Sequence, residues 1–286
     1  MSDDTSNPGS DGVESGERQQ RGIQSIEVGG QLLQALVHHG RPMGLSDLAR
    51  DANMPSARAH PYMVSFGRLG LVEQDAVSGQ YQLGPLALQL GMIGLQQNNP
   101  VLIATPLIDA LAARMGQTIA IAVWGDRGAT IVRVAESPAA IHVVMRHGTV
   151  FSLTSTASGR LFGAYLEAGS VRQLLHEERE RRVQQDSVDP TPPAGMLARE
   201  PVPSWEAFEV QLAEVRRHGL SRSEGEIIPG INAMSAPVFD HTGRITLAVT
   251  AIGAAGVFDS DWDSDLAKAL KDCAQQVSKR LGAPTA

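Results

Sequence analysis

One cysteine in 286 residues, Cys273, leaves no partner for an internal disulfide and too few thiolates for a cysteine-based zinc site within one chain. Its neighbours over 270–277 follow helical spacing, which predicts a buried structural thiol. Basic residues are also in deficit: 24 Lys and Arg face 31 Asp and Glu, for a formal net charge of -7. That balance excludes an indiscriminate coat of nucleic acid, which rests on phosphate neutralisation, but not a protein that reads one DNA sequence. Apolar runs of the roughly 18–20 residues needed to span a bilayer are missing. The opening stretch, MSDDTSNPGSDGVESGERQQ, is acidic and polar where an export signal has a basic start and an apolar core. No membrane partner and a cytoplasmic setting are therefore expected.

Catalytic signatures are equally scarce. Gly-x-Ser-x-Gly, His-Glu-x-x-His and the phosphate-loop pattern are absent, and the adjacent His38 and His39 point in different directions on a helix and cannot chelate together. The expectation is a non-enzyme with no metal and no cofactor.

What is present is an ordinary globular composition, 42% hydrophobic and 19% charged, in a chain long enough for two domains and a tail. Residues 1–20 have hardly any apolar side chain and predict a disordered tail. From Ile23 onward Ile26, Leu32, Leu33, Leu36 and Val37 recur at helical spacing until Gly40 and Pro42 supply a stop. A second, short helix begins with Ser46 as N-cap and carries Leu48, Ala49 and Ala52. Pro55 opens a third, whose buried stripe is Ala59, Tyr62, Met63, Phe66 and Leu69. Two short alternating segments, 71–75 and 80–83, then flank Ala76, Val77, Ser78 and Gly79 as a hairpin. Helix, short helix, turn, helix and hairpin over 21–84 is the order of a winged helix-turn-helix. Residues 85–100, with Leu86, Leu90, Met92, Ile93 and Leu95, predict a linker helix suited to dimer packing.

From residue 101 to 286 the texture is mixed. Helices are predicted at 107–115, 158–166, 206–217 and 266–281, and strands at 118–123, 130–135, 142–145, 233–239 and 245–252. The tight turns after residues 124 and 239 make two hairpins, so the fold class is α+β, an antiparallel sheet covered by helices. Residues 188–203, with five prolines, read as a loop excursion.

Taken in order, these segments resemble the IclR family of transcriptional regulators over 23–282. Leu45, Leu48, Ala49, Pro55 and His60 match its helix-turn-helix, and Gly70-Leu71-Val72-Glu73 with Tyr81-Gln82-Leu83-Gly84 match its wing and linker entry. In the second half the matching elements are 151–160, FSLTSTASGR, and 226–240, EIIPGINAMSAPVFD. The resemblance implies a GAF-like effector-binding domain, DNA binding controlled by a small organic effector of acidic or aromatic character, and homodimers able to pair into tetramers. Double-stranded operator DNA and that effector are the expected partners. The alternative is a ligand sensor that acts through protein contacts with little DNA binding.

In such a motif the third helix lies in the major groove. Ser56, Ala57, Arg58, His60 and Pro61 fall off its apolar stripe and should face outward, with Arg58 the best base reader because a guanidinium can bond guanine O6 and N7 together. Ser78, Gly79 and Gln80 of the wing, and Gln24 and Ser25 ahead of the first helix, are placed for backbone or minor-groove contacts. Pro61 departs from the basic residue usual in the family. It implies either a kinked or late-starting helix or altered DNA affinity. Charge gives little support, since five arginines and five carboxylates make 21–85 neutral.

For the effector, Thr154, Ser155, Thr156, Ala157 and Ser158 form a hydroxyl-rich approach to a helix whose N-terminal amides favour an anion; the same hydroxyls also suit simple capping. The resemblance adds Ser223, Ala233, Thr250 and Ile252 as cavity-facing positions. Arg133 and Arg146 are candidates for an effector carboxylate but sit where surface charge is commoner, Glu224 and Glu226 are expected to be exposed, and Trp124 fits either a pocket wall or the core.

Overall fold

The computed structural model describes residues 22–126, 128–137, 139, 147–188 and 201–284. The expected tail at 1–20, Arg127, the strand at 142–145, Arg146 and residues 189–200 of the loop excursion lie outside the described residues. The chain divides into two compact units, Met1–Gln97 and Asn98–Ala286.

In the first unit, α1 (Gln24–His39) ends at Gly40, which takes φ 60° and returns its N–H to Leu36 O. A left-handed residue at this point is most cheaply a glycine. The buried face is narrower than the spacing implied. Leu32, Ala35 and Leu36 are inside, whereas Ile26 and Val37 are 70% and 67% exposed. α2 (Leu45–Asp51) opens two residues earlier than a Ser46 cap implies, because Leu48 N–H already bonds Gly44 O. Gly44 is therefore the N-cap, and Ser46 falls inside the first turn and does not cap. α3 (Ser56–Leu69) follows Pro55, and β1 (Val72–Gln74) pairs antiparallel with β2 (Tyr81–Leu83). Tyr81 also exchanges two backbone hydrogen bonds with Met43, at 2.9 and 2.8 Å, which ties the α1–α2 connection to the hairpin. Leu32, Leu36, Leu48, Ala59, Met63, Val72 and Tyr81 make up much of a single core. α4 (Pro85–Gln97) closes the unit with no buried residue.

The second unit begins with α5 (Pro100–Met115). Asn99 Oδ1 accepts the N–H groups of Val101 and Leu102 at 3.1 Å, so Asn99 and Pro100 start this helix and do not end the preceding one. Next come β3 (Thr118–Gly125), β4 (Gly128–Ala135), β5 (Val150–Phe151), α6 (Ala157–Tyr165), α7 (Ala168–Val188), α8 (Trp205–His218), β6 (Ser221–Glu224), β7 (Ile231–Phe239), β8 (Ile245–Ala254) and α9 (Asp265–Arg280). The six strands form one sheet in the order β5-β4-β3-β8-β7-β6, with antiparallel neighbours throughout. The α+β expectation holds, with β5, β6 and α7 added to it.

Helices cover both faces. Ile108 and Leu111 of α5 and Leu270 and Val277 of α9 pack with Ile119, Ile121, Met234 and Val249. On the other face Leu161 and Phe162 of α6 and Phe208 and Leu212 of α8 meet Ala120, Ala122 and Ala248. The small alanines let α6 approach the sheet closely, and burying each phenylalanine contributes about 1.5–3 kcal/mol. Cys273 is buried in the α5–α9 layer, and its burial pushes the thiol up to about 11. Among the described residues no helix is long and apolar enough to cross a membrane.

Candidate DNA-reading surface and effector site

The N-terminal half of α3 separates as its spacing requires. Ala59 and Met63 are buried, Ser56 is half-buried, and Ala57, Arg58, His60 and Pro61 are exposed. The helix starts at Ser56 and continues past Pro61 to Leu69, so a late start is ruled out. Pro61 costs the helix one donor, the N–H that would otherwise reach Ala57 O. Ser65 Oγ donates to Pro61 O at 2.9 Å. Among the described residues Arg58 has no ion-pair partner, whereas Arg50 is held by Asp47 at 2.7 Å and Asp51 at 3.6 Å. An uncommitted guanidinium is what contact with a base edge or phosphate needs.

Ser78, Gly79 and Gln80 form the exposed tip of the hairpin. Gly79 sits at φ 72°, and Asp75 Oδ1 organises the tip by accepting the Val77 N–H, the Ser78 N–H and the Ser78 hydroxyl at 3.1, 2.6 and 2.7 Å. Those bonds, led by the Ser78 amide, hold the Asp75 carboxyl below its ordinary range. A groove of about 170 Å³ is lined by His60 of α3 and by Glu73, Gln74 and Tyr81 of the hairpin, among others, so helix and wing border one concavity. Gln24 and Ser25 are exposed on the first turn of α1.

The second site is built where α6 meets the sheet. Residues directly opposite in antiparallel strands point to one face. Ser221 lies opposite Ser235, Ser223 opposite Ala233, Ala233 opposite Ile252, and Ser235 opposite Thr250. These six side chains therefore share the α6 face, and they include all four sheet positions expected from the family resemblance. Ser158 of α6 completes the set, with its hydroxyl 2.9 Å from Thr250 Oγ1 and 3.3 Å from Ser235 Oγ, while Ser235 and Thr250 are 2.8 Å apart. A closed ring of three hydroxyls uses every proton internally and leaves one acceptor lone pair on each oxygen. Ser221 Oγ, fully buried beside it in register, has no hydrogen-bond partner among the described residues and keeps its proton to give.

The 152–156 loop is held mainly by Glu178 of α7. Its Oε1 accepts the Ser152 and Thr154 hydroxyls, each at 2.6 Å, and its Oε2 accepts Leu153 N–H at 2.7 Å. Thr156 is the N-cap of α6, accepting Gly159 N–H at 2.9 Å and donating to Ser152 O at 2.8 Å. Gly159 is required here, since a Cβ would stand 2.0 Å from Ser152 O and 2.7 Å from Leu153 O. Of the two readings for the hydroxyl loop, capping describes Thr156 and internal bonding describes Thr154, while Ser155 is half-buried, Ala157 is buried, and Ser158 faces the strands.

Arg160 is 8% exposed and donates to Thr154 O at 3.0 Å, to Arg222 O and to both carboxylate oxygens of Glu226, at 2.7 and 3.2 Å. Glu224 and Glu226 are both exposed, as expected, and each is also an ion-pair partner, Glu226 of Arg160 at 2.7 Å and Glu224 of Arg222 at 3.6 Å. Arg133 lies on the opposite face, paired with Asp109 of α5 at 3.3 Å, which removes it from the site. Trp124 packs on Phe162, ring centroids 5.4 Å apart, as part of the core beneath α6. Ser152, Arg160, Glu178, Ser221 and Ser235 belong to this constellation and were not among the expected residues. The alternation of Ser221 with Ser223 is a signal that could have found Ser221, and nothing comparable marks the others.

Comparison with known proteins agrees with both halves. The family description "IclR helix-turn-helix domain" matches residues 25–76, and "Bacterial transcriptional regulator IclR C-terminal" matches residues 94–279. A glycerol operon regulatory protein of Streptomyces coelicolor is 30% identical over 268 residues, covering 92% of this chain and 98% of its own. The transcriptional repressor IclR of Escherichia coli is 23% identical, with 91% and 90% covered. Among solved structures, Pseudomonas aeruginosa HmgR superposes with a TM-score of 0.80 at 30% identity, over 92% of this chain and all of that one. The Streptomyces and Escherichia relatives are regulators by name, in agreement with the expected lack of enzymatic activity. The chain belongs to the IclR family of bacterial transcriptional regulators.

Proposed function

We propose that this regulator reads operator DNA with Ser56, Ala57, Arg58, His60 and Pro61 of α3, and that an effector bound beneath α6 controls that reading. The observation carrying the proposal is the division of α3, in which Arg58 and His60 face solvent, Arg58 with no ion-pair partner among the described residues, while Ala59 and Met63 anchor the helix. Gln24, Ser25, Ser78, Gly79 and Gln80 supply positioning contacts to the sugar-phosphate backbone. Thr154, Ser155, Thr156, Ala157 and Ser158, with Ser223, Ala233, Thr250 and Ile252, form or support the walls of the effector site. The domain limits that fit this division of labour are 21–84 for DNA binding, 85–100 for a linker and 101–286 for sensing.

The protein acts as a homodimer in the cytoplasm, where two reading heads meet two half-sites and dimers pair into tetramers. In support, Leu88, Leu90, Met92, Ile93 and Leu95 of α4 are between 47% and 66% exposed, more apolar surface than one helix leaves in water without a partner. The test is an electrophoretic shift with DNA from upstream of the protein's own gene at two salt concentrations. A shift that weakens steeply with salt is expected. Absence of any shift at low salt overturns DNA reading and favours the second reading, a sensor acting through protein contacts, for which Pro61 at the reading surface is the supporting observation.

A further inference from the structure

The Arg160–Glu226 pair is asymmetric. Arg160 is buried, it is fixed at two further points by the carbonyls of Thr154 and Arg222, and neither carbonyl neutralises its charge. A guanidinium withdrawn from water requires an anion. Among the described residues the one carboxylate within ion-pair distance is Glu226, whose side chain is 42% exposed and stands in the 225–230 loop. That loop is bounded by Gly225 and Gly230, both in the left-handed region at φ 67° and 76°, where backbone rotation is cheapest. Glu226 can leave for water at little cost, and Arg160 cannot. The cation is fixed, the anion is exchangeable, and the cation bonds the backbone of the same loop whose Ser152 and Thr154 hydroxyls bond Glu178 of α7.

We infer that Arg160 is the recognition point for a carboxylate on the effector, and that Glu226 is an internal stand-in which the effector carboxylate displaces. The inference rests on the effector-sensing reading and gives it a chemical class, a ligand bearing a carboxylate group. Displacement of Glu226 frees the 225–230 loop, which joins the edge strand β6 to β7, so occupancy is converted into a change at the rim of the sheet. Ser221 and the Ser158–Ser235–Thr250 ring remain for the polar groups on the rest of the ligand.

The experiment titrates the full chain with acetate, and separately with its neutral analogue acetamide, at constant ionic strength while following thermal stability. Acetate stabilises the wild-type chain and acetamide does not. In Glu226→Gln, which keeps an amide oxygen near Arg160 but removes the competing charge, half-saturation by acetate falls at least tenfold. Adding Arg160→Met to that variant abolishes the preference for acetate over acetamide. Hydrogen exchange of the wild-type chain gives an independent reading that does not depend on any variant folding: acetate raises exchange at amides 226–228. Equal half-saturation in wild type and Glu226→Gln, equal effects of acetate and acetamide, or unchanged exchange at 226–228 each overturns the inference. Failure of the regulatory reading is separately visible, as a DNA shift that is absent at low salt while the acetate response still depends on Glu226.

Discussion

Glu178 and Thr154 are joined twice, Oε1 of the glutamate accepting the threonine hydroxyl at 2.6 Å and its amide at 3.4 Å. The same carboxylate holds Ser152 and the Leu153 amide, so a buried residue of α7 sets the backbone from which α6 begins. Replacing Glu178 by Ala leaves at least two buried donors without a partner, and the expected loss is about 2–4 kcal/mol of stability. Glu178→Gln retains one acceptor oxygen and should lose less. Chemical denaturation of the three proteins checks this, and a Glu178→Ala chain as stable as wild type would show that the loop is held by other means.

Arg58 is expected to discriminate between bases, not merely to add charge. Arg58→Ala should relax selectivity at one guanine position of each half-site by about 1–3 kcal/mol, read as the ratio of affinities for the operator and its single-base variant. A uniform loss across both DNAs would reassign Arg58 to phosphate contact.

Pro61 separates helix energetics from DNA electrostatics. Pro61→Ala restores the missing N–H to Ala57 O and should stabilise the chain by up to about 3 kcal/mol with no change in the salt dependence of binding. Pro61→Arg should show the same stabilisation and, in addition, steepen the slope of log affinity against log salt by about 0.9 for one new phosphate contact. An unchanged slope in the arginine variant would mean that position 61 does not approach the DNA backbone.

The reading of the sequence succeeded where inward-facing side chains are apolar and failed where they are polar. The hairpins of β3–β4 and β7–β8 were legible from alternating Ile, Val and Ala. β6 was not, because the residues it turns inward are Ser221 and Ser223, so its alternation carries no hydrophobic signal. α7 has a buried stripe at Val171, Leu175 and Glu178, with proper i, i+4, i+7 spacing, but the third member is a glutamate inside a charged run, and the pattern dissolves there. The residues missed in the candidate site are thus missed for a physical reason, namely that they are polar and turned inward. In the DNA-binding unit the stripe of α3 is apolar, and the outward residues of its N-terminal half followed by subtraction, although Leu69 at its end, expected to be buried, is 60% exposed.

Asp75 supplies a pH test of the wing. The Ser78 amide, then the Ser78 hydroxyl, hold its carboxyl below the ordinary value of 3.8 against desolvation, with the Val77 amide adding least. A depressed carboxyl contributes order that is complete above its unfolded value and is lost as pH falls through the folded one. The Ser78 amide resonance should therefore titrate with a midpoint below 3.8 and be unaffected near neutrality. Asp75→Asn should resemble the protonated form at all pH values and weaken operator binding a few-fold at pH 7. A midpoint at or above 3.8 would show that the tip is not organised by this carboxylate.

The exposed apolar residues of α4 make a prediction in which symmetry does the amplifying. In a two-fold dimer each substitution occurs twice across one interface. Leu90 is 56% exposed in the single chain, so Leu90→Glu should leave the thermal stability of the isolated fold nearly unchanged. Burial of one leucine contributes about 1.5–3 kcal/mol, and losing two copies should weaken dimerisation by roughly 3–6 kcal/mol. Sedimentation at micromolar concentration should then show a monomer, and operator affinity should fall because the two half-sites no longer bind as a unit. A Leu90→Glu chain that sediments as the wild type does would place the dimer contact elsewhere and leave the apolar face of α4 to another partner.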